Sequence, residues 1–147
     1  TDQHIPKTAI QKMVMGFHLD VFGHVNNTRY LEFYEEARWL IYQDPLNNLL
    51  ASGFGIVVVN IDINYRRALE LFDKILITAK LDKISSRSFV IKQSITSLSG
   101  DKIYSDAAFT IVLLEGNSQK AAVIAEHPAC QAFIHAAEQL VTRESST

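Results

Sequence analysis

Cysteine and net charge are both scarce in this chain of 147 residues, and each scarcity closes off a class of protein. The single Cys130 has no partner for an internal disulfide, which removes the main reason to expect an oxidising compartment. No apolar run approaches the roughly 20 residues that span a bilayer. The opening Thr1-Asp2-Gln3-His4 has neither the basic nor the apolar region of a secretion signal, so the cytoplasm is the expected location. With 14 Lys and Arg against 16 Asp and Glu, the net charge of -2 gives no global attraction to nucleic acid or to an anionic membrane. Any anion must be met locally. A Gly-x-Ser-x-Gly elbow and a Gly-x-x-x-x-Gly-Lys loop are both absent, which speaks against a serine hydrolase and against nucleotide hydrolysis.

What is present reads as one domain, without repeats, low-complexity tracts or linkers. Thr8 to Val14 has Ile10, the stem of Lys12 and Val14 on one side with Met13 opposed, which predicts a short strand. From Asn27 to about Tyr42, apolar residues including Tyr30, Phe33, Tyr34 and Ala37 recur at helical spacing beside a charged flank of Glu32, Glu35 and Glu36. Asn26 stands at the N-cap, and Asp44-Pro45 is expected to stop the helix after about four turns. Ile56 to Tyr65 predicts a strand buried on one or both faces. Three more alternating runs follow, through Ile75-Leu81, Phe89-Ile95 and Ile103-Leu113, joined by turns at Ser85-Ser86 and Ser99-Gly100-Asp101. Pro128 opens a final helix with Cys130, Phe133, Ile134, Ala137, Leu140 and Val141 on its apolar face, and the tail after Arg143 is expected to fray. The plan is α+β, a consecutive antiparallel sheet covering one long helix. Its strands are apolar on more than one face, which points to contact with another subunit.

The chemistry concentrates in His18-Leu19-Asp20-Val21-Phe22-Gly23-His24-Val25-Asn26-Asn27, a loop that feeds the first long helix. Free N–H groups of a helix's first turn, backed by the helix dipole, polarise a carbonyl and stabilise an oxyanion. A carboxylate such as Asp20 across the same cleft could attack an activated carbonyl or deprotonate a water. Each residue also has a structural reading. Asp20 suits a turn, Asn26 and Asn27 suit helix caps, and His24 suits a hydrogen-bonding loop position. Tyr30, Phe33 and Tyr34 suit the core, and Cys130 suits a buried thiol. His18, Asp20 and His24 have no register that fixes a metal-binding geometry, so no metal is expected.

The segment from Phe17 to Phe33, continuing Glu35-Glu36-Ala37-Arg38-Trp39, resembles the signature of the 4-hydroxybenzoyl-CoA thioesterase-like hotdog family. The likeness runs on through Val57-Val58-Val59-Asn60-Ile61-Asp62-Ile63-Asn64-Tyr65-Arg66-Arg67 and covers about residues 8 to 115, and within the family it is most similar to the long-chain acyl-CoA thioesterases of fatty-acid degradation. The resemblance implies a hotdog fold, a five- or six-stranded antiparallel sheet wrapped around the long helix, with active sites at the interfaces of a homodimer or homotetramer. It implies that Asp20 is the catalytic aspartate and that the Asn27 N–H holds the thioester carbonyl, with His24 and Asn26 orienting them. Tyr30, Arg87 and Arg66 are carried as substrate contacts. Arg87 is the one basic residue in Ile84-Ser85-Ser86-Arg87, where the family meets the CoA phosphates, and Lys83, Arg66 or Arg67 are alternatives.

The expected activity is hydrolysis of medium- to long-chain acyl-CoA to free acid and CoA, without metal or redox cofactor, by one domain spanning residues 1–147. Nucleophilic and general-base roles for Asp20 stay open. One rival is a hotdog acyl-thioester dehydratase, whose His-Pro-Gly helix entry is absent here. The other is a non-catalytic acyl-CoA binding module, against which the intact Asp20 argues.

Overall fold

The computed structural model of the chain describes residues 5–145, so the reading of Thr1 to His4 as lacking a signal lies outside the described residues. Strands β1 (Ala9–Met13), β2 (Phe54–Tyr65), β3 (Lys74–Ile84), β4 (Phe89–Ser97) and β5 (Ile103–Glu115) form one sheet in the order β1-β3-β4-β5-β2, and every neighbouring pair is antiparallel. The two hairpins β3-β4 and β4-β5 follow directly from the alternation and the turn residues. In the second turn the Asp101 carboxylate accepts from the hydroxyls of Ser97 and Ser99 at 2.7 and 2.5 Å.

Helix α1 (Asn27–Ile41) lies against one face of this sheet. Its Tyr30, Phe33, Tyr34 and Ala37 are buried with Ile75, Ile77 and Ala79 of β3, Phe89, Ile91 and Ile95 of β4, and Phe109, Ile111 and Leu113 of β5. Each large side chain so withdrawn from water is worth roughly 1.5–3 kcal/mol, so the buried stripe, more than helix propensity, holds α1 in place. Tyr34 fixes the helix rotation. Its ring meets Phe109 edge-on at 5.5 Å, and its hydroxyl donates to Ser105 Oγ at 2.6 Å. Ile10 and Lys12 of β1 pair with Ile77 and Ile75 and so share the helix-facing side. Lys12 Nζ reaches Glu36 at 2.8 Å and lies 5.8 Å over the Phe33 ring.

α1 ends where the sequence placed it, at Ile41 with Tyr42 as its cap, but a second helix that the sequence did not reveal, α2 (Gln43–Ala51), starts at once and contains Pro45. Proline is harmless in a first turn, where its missing N–H would have no intrahelical partner. Pro45 therefore belongs to the start of a helix, not to the stop that Asp44-Pro45 suggested. Leu46 and Leu49 bury the new helix, and the Tyr42 hydroxyl ties the corner to the Ala79 carbonyl at 3.3 Å.

β2 is an edge strand, which leaves it more exposed than a strand buried on one or both faces. Its pairing with β5 shifts between Val58 and Asn60, leaving Val59 out of register. The shift keeps Ile56, Val58, Ile61, Ile63 and Tyr65 opposite Leu113, Ile111, Phe109, Ala107 and Ser105, all on the helix-facing side. Helix α3 (Pro128–Ser145) closes the far end of the core. Phe133 meets Tyr42 and Phe89 at ring distances of 6.3 and 5.6 Å, and Cys130 is fully buried with its pKa raised by that burial. α3 is still helical past Arg143, where fraying was expected, while Ser146 and Thr147 lie outside the described residues. No described helix is long and apolar enough to cross a membrane.

Candidate active site

A 3-10 turn, Gly16–His18, carries the chain from β1 into the polar loop. The His18 ring turns inward, 4.2 Å from Phe17 and edge-on to Phe33 at 4.9 Å. Its Nδ1 accepts the Met15 N–H at 2.9 Å, which places the proton of the neutral ring on Nε2. Burial, then Lys12 and Arg29, hold its pKa below the ordinary 6.5. The backbone carbonyl of His18 accepts the Asn26 N–H at 3.2 Å and so fixes where the helix begins.

Between these points the chain makes a tight turn. Leu19 bridges Val25, the Asp20 N–H reaches the His24 carbonyl at 2.9 Å, and the Gly23 N–H reaches the Asp20 carbonyl at 3.1 Å. Gly23 takes φ +81, a conformation that side chains resist. Asp20 is half-buried, and its Oδ1 accepts the Phe22 N–H at 2.9 Å. The turn reading of Asp20 is therefore realised, yet it occupies one carboxylate oxygen and leaves Oδ2 without a partner among the described residues. Val25 is buried, and its N–H anchors the loop to the Leu69 carbonyl at 3.1 Å.

At the start of α1 the orphan donors divide unequally. Asn26 Oδ1 accepts both the N–H and the hydroxyl of Thr28, at 3.0 and 2.9 Å, and the Asn26 carbonyl accepts the Arg29 N–H at 2.9 Å. The Asn27 N–H has no acceptor among the described residues. Its carbonyl takes the Tyr65 hydroxyl at 3.3 Å, so the end of β2 touches the start of α1. One open N–H at an exposed helix start, next to a turn that presents a free carboxylate oxygen, is suited to polarising a carbonyl and attacking it.

Asp20, His24, Asn26 and Asn27 are thus brought into one turn-and-cap unit. His24 contributes through its backbone carbonyl and has an exposed side chain. Tyr30 does not join them as a substrate contact. It is 2 % exposed, edge-on to Tyr65 at 5.1 Å with its hydroxyl 3.5 Å from the Arg67 carbonyl, so within one chain it is core behind the site. Arg66 is ion-paired with Asp106, which Asn64 also holds at 2.9 Å. Arg87 donates to the Ala121 carbonyl at 2.7 Å. The two arginines lie at opposite ends of the sheet. The Arg66 N–H bonds Tyr104, whereas Arg87 precedes Phe89, the partner of Ile111. That span of β5 is ~24 Å, so one chain does not gather both around one nucleotide. His18 and Tyr65 were missed by sequence reasoning as positioning residues. His18 stood inside the motif, while nothing local marks Tyr65.

Further along α1 the core opens into a cavity of about 190 Å³. Ile56 and Val58 of β2, Ile91 and Ile111 of the sheet, Tyr42, and Phe133 of α3 form its apolar walls, and Trp39 and Glu35 stand at its rim. Arg38 also lines it. Its guanidinium lies 4.2 Å over the Phe109 ring and donates to Gln93 Oε1 at 2.8 Å.

An antiparallel sheet wrapped on one helix, with a carboxylate turn feeding that helix's N-terminus, is the architecture of hotdog-fold thioester enzymes. The comparisons agree. The chain belongs to the thioesterase-like superfamily, whose family model matches residues 15–134. It is 44% identical to the long-chain acyl-CoA thioesterase FadM of Escherichia coli strain K12 over 113 residues, 76% of this chain and 86% of that protein. A crystal structure of YbaW, a probable thioesterase from Escherichia coli, superposes with a TM-score of 0.81 at 37% identity, covering 88% of this chain and 98% of that one. A thioesterase from Thermus thermophilus, solved with coenzyme A and Zn, gives 0.73 at 25% identity over 90% and 95% of the two chains.

Proposed function

We propose that this chain hydrolyses long-chain acyl-CoA thioesters to free acid and CoA, as one domain that includes α3, with Asp20 and the Asn27 N–H as its reacting groups. Family membership and the 44% identity to a long-chain acyl-CoA thioesterase support the reaction. The observation that supports the residue roles is that one hydrogen-bonded turn and cap carries both an Asn27 N–H and an Asp20 carboxylate oxygen without partners among the described residues. The Asn27 N–H polarises the thioester carbonyl. Asp20 then either takes a proton from a water, whose oxygen adds to the carbonyl carbon, or adds to that carbon itself to give an anhydride that water opens. In both routes the C–S bond breaks and CoA leaves as the thiolate.

The separation of Arg87 from the Asp20 turn favours a site shared between two copies. A two-fold copy laid antiparallel along the free edge of β2 carries the Arg87 end of one chain toward the Asp20 end of the other. We read the active unit as such a dimer or as a tetramer of two.

Asp20→Asn tests the assignment cleanly, because the amide oxygen still accepts the Phe22 N–H and the turn survives. Thiol release from acyl-CoA is expected to fall at least roughly 10²-fold in kcat, while binding of a non-hydrolysable analogue changes far less. Retention of kcat within about tenfold would move the chemistry to Glu32, Glu35 or Glu36, and an unfolded variant would return Asp20 to a purely structural role.

A further inference from the structure

We infer that the cavity behind Trp39 receives the distal end of the acyl chain and sets the chain length this enzyme prefers, an inference that rests on the acyl-CoA reading of the Asp20 site.

Two observations connect the cavity to that site. The first is a continuous apolar stripe on the edge strand. Tyr65, Ile63, Ile61, Val58 and Ile56 all face the helix side, because the extra residue at Val59 breaks the alternation and turns Ile61, Ile63 and Tyr65 to that side in place of Asn60, Asp62 and Asn64. This stripe starts at the Tyr65 hydroxyl, bonded to the Asn27 carbonyl, and ends in the wall of the cavity. Ile61 and Tyr65 remain well exposed although they point toward the core side, and Ile56, Val58 and Ile63 are half-buried, so the stripe is open at its Asn27 end and closes over as it enters the cavity.

The second observation is one of length. Glu35, Arg38, Trp39 and Tyr42 border the cavity on α1, and at 1.5 Å per residue they lie ~12 to ~22 Å along the axis from Asn27. An extended hydrocarbon advances about 1.3 Å per carbon, given a C–C bond near 1.5 Å and tetrahedral angles. A chain whose carbonyl is held at Asn27 therefore reaches the cavity after roughly nine carbons. The cavity holds on the order of six methylenes, since each fills about the space of a liquid water, roughly 30 Å³. Tyr42 and Phe133 close its far end, which gives an expected optimum near ~14 to ~16 carbons. Arg38 does not spoil an alkyl site, because its charged head is stacked on Phe109 and bonded to Gln93, leaving its stem for the wall.

Trp39, the single tryptophan of the chain, stands at the rim at 48 % exposure and reports on occupancy. Full-length protein would be titrated with S-alkyl-CoA thioethers of about four to about sixteen carbons, which cannot be hydrolysed. The expected result is a blue shift of Trp39 emission that is absent for chains below roughly nine carbons and grows beyond that length. A shift equal for short and long thioethers, or none for bound long ones, would overturn the inference. Val58→Phe, at the cavity mouth on an edge strand, is the second test. It is expected to lower kcat/KM for a long acyl-CoA at least about tenfold more than for a short one, since each displaced methylene is worth on the order of tenfold or more. An unmoved chain-length profile with unchanged sedimentation would also refute the ruler. If the wild-type protein released thiol from no acyl-CoA of any length, the functional reading itself would fail, which is a different outcome.

Discussion

Single side chains in the polar loop do two jobs at once, and Asp20 and His18 divide them differently. Asp20 spends one oxygen on the turn and leaves the other without a partner among the described residues, available for the chemistry proposed above. His18 gives both ring and carbonyl to position, accepting the Met15 N–H through Nδ1 and the Asn26 N–H through its backbone. Because burial and the neighbouring cations hold its folded pKa below 6.5, the unfolded chain binds the proton more readily than the native one. The sign follows: the stability His18 contributes is complete above 6.5 and is lost as pH falls through the folded value. Melting temperature is therefore expected to drop between about pH 7 and pH 5. His18→Asn keeps an acceptor for the Met15 N–H but does not titrate, so it should flatten that part of the curve. An Asn variant as acid-sensitive as the wild type would assign the effect to other groups.

Among the elements, α1 is pinned by a polar network that no local pattern reveals. Gln93, buried in β4, donates to the Tyr34 and Thr78 carbonyls at 3.1 and 3.2 Å and accepts from Arg38 at 2.8 Å, so one amide ties α1 to β3 and β4. Burial lowers the Arg38 pKa and Glu35 offsets that in part, and among the described residues Gln93 accepts the guanidinium's hydrogen bond. Gln93→Leu leaves the cation half-buried and is expected to destabilise the chain by about 2–3 kcal/mol in urea unfolding. Adding Arg38→Met removes the stranded charge, so the pair should recover at least about 1 kcal/mol. Strict additivity of the two changes would mean that they do not interact. Legibility from sequence divides along the same line. The alternation through Ile75-Leu81 and Ile103-Leu113 and the Asn26 cap are local, and so they were readable. The end of α1 was readable too, but Pro45 hid α2, because a proline suits the start of one helix as well as the end of another. The cavity was invisible because its walls come from α1, β2, β4, β5 and α3, which only the fold brings together.

At the scale of the whole molecule, one chain leaves apolar surface uncovered that the proposed dimer would bury. Among the described residues the outer edge of β2 is unpaired, and Val59, out of register, is 56 % exposed. Phe72 adds a second sign. It is held at φ +68, a left-handed conformation costing a bulky residue roughly 1–2 kcal/mol, by the hydrogen bond of its N–H to the Val14 carbonyl at 2.9 Å, and that backbone leaves the residue 62 % exposed. A second copy along β2 would cover this edge and supply the Arg87 end that the Asp20 turn lacks. Sedimentation of the wild-type protein at micromolar concentration is accordingly expected to give a dimer or a tetramer. Val59→Lys places on that edge the charge by which monomeric proteins prevent edge-to-edge pairing, at little cost to a side chain already facing solvent. The variant should be a folded monomer by circular dichroism, with thiol release from acyl-CoA reduced at least roughly tenfold because each site has lost half of its walls. A monomer that hydrolyses at the wild-type rate would show that Asp20 and Asn27 of one chain suffice, and the shared site would have to be abandoned.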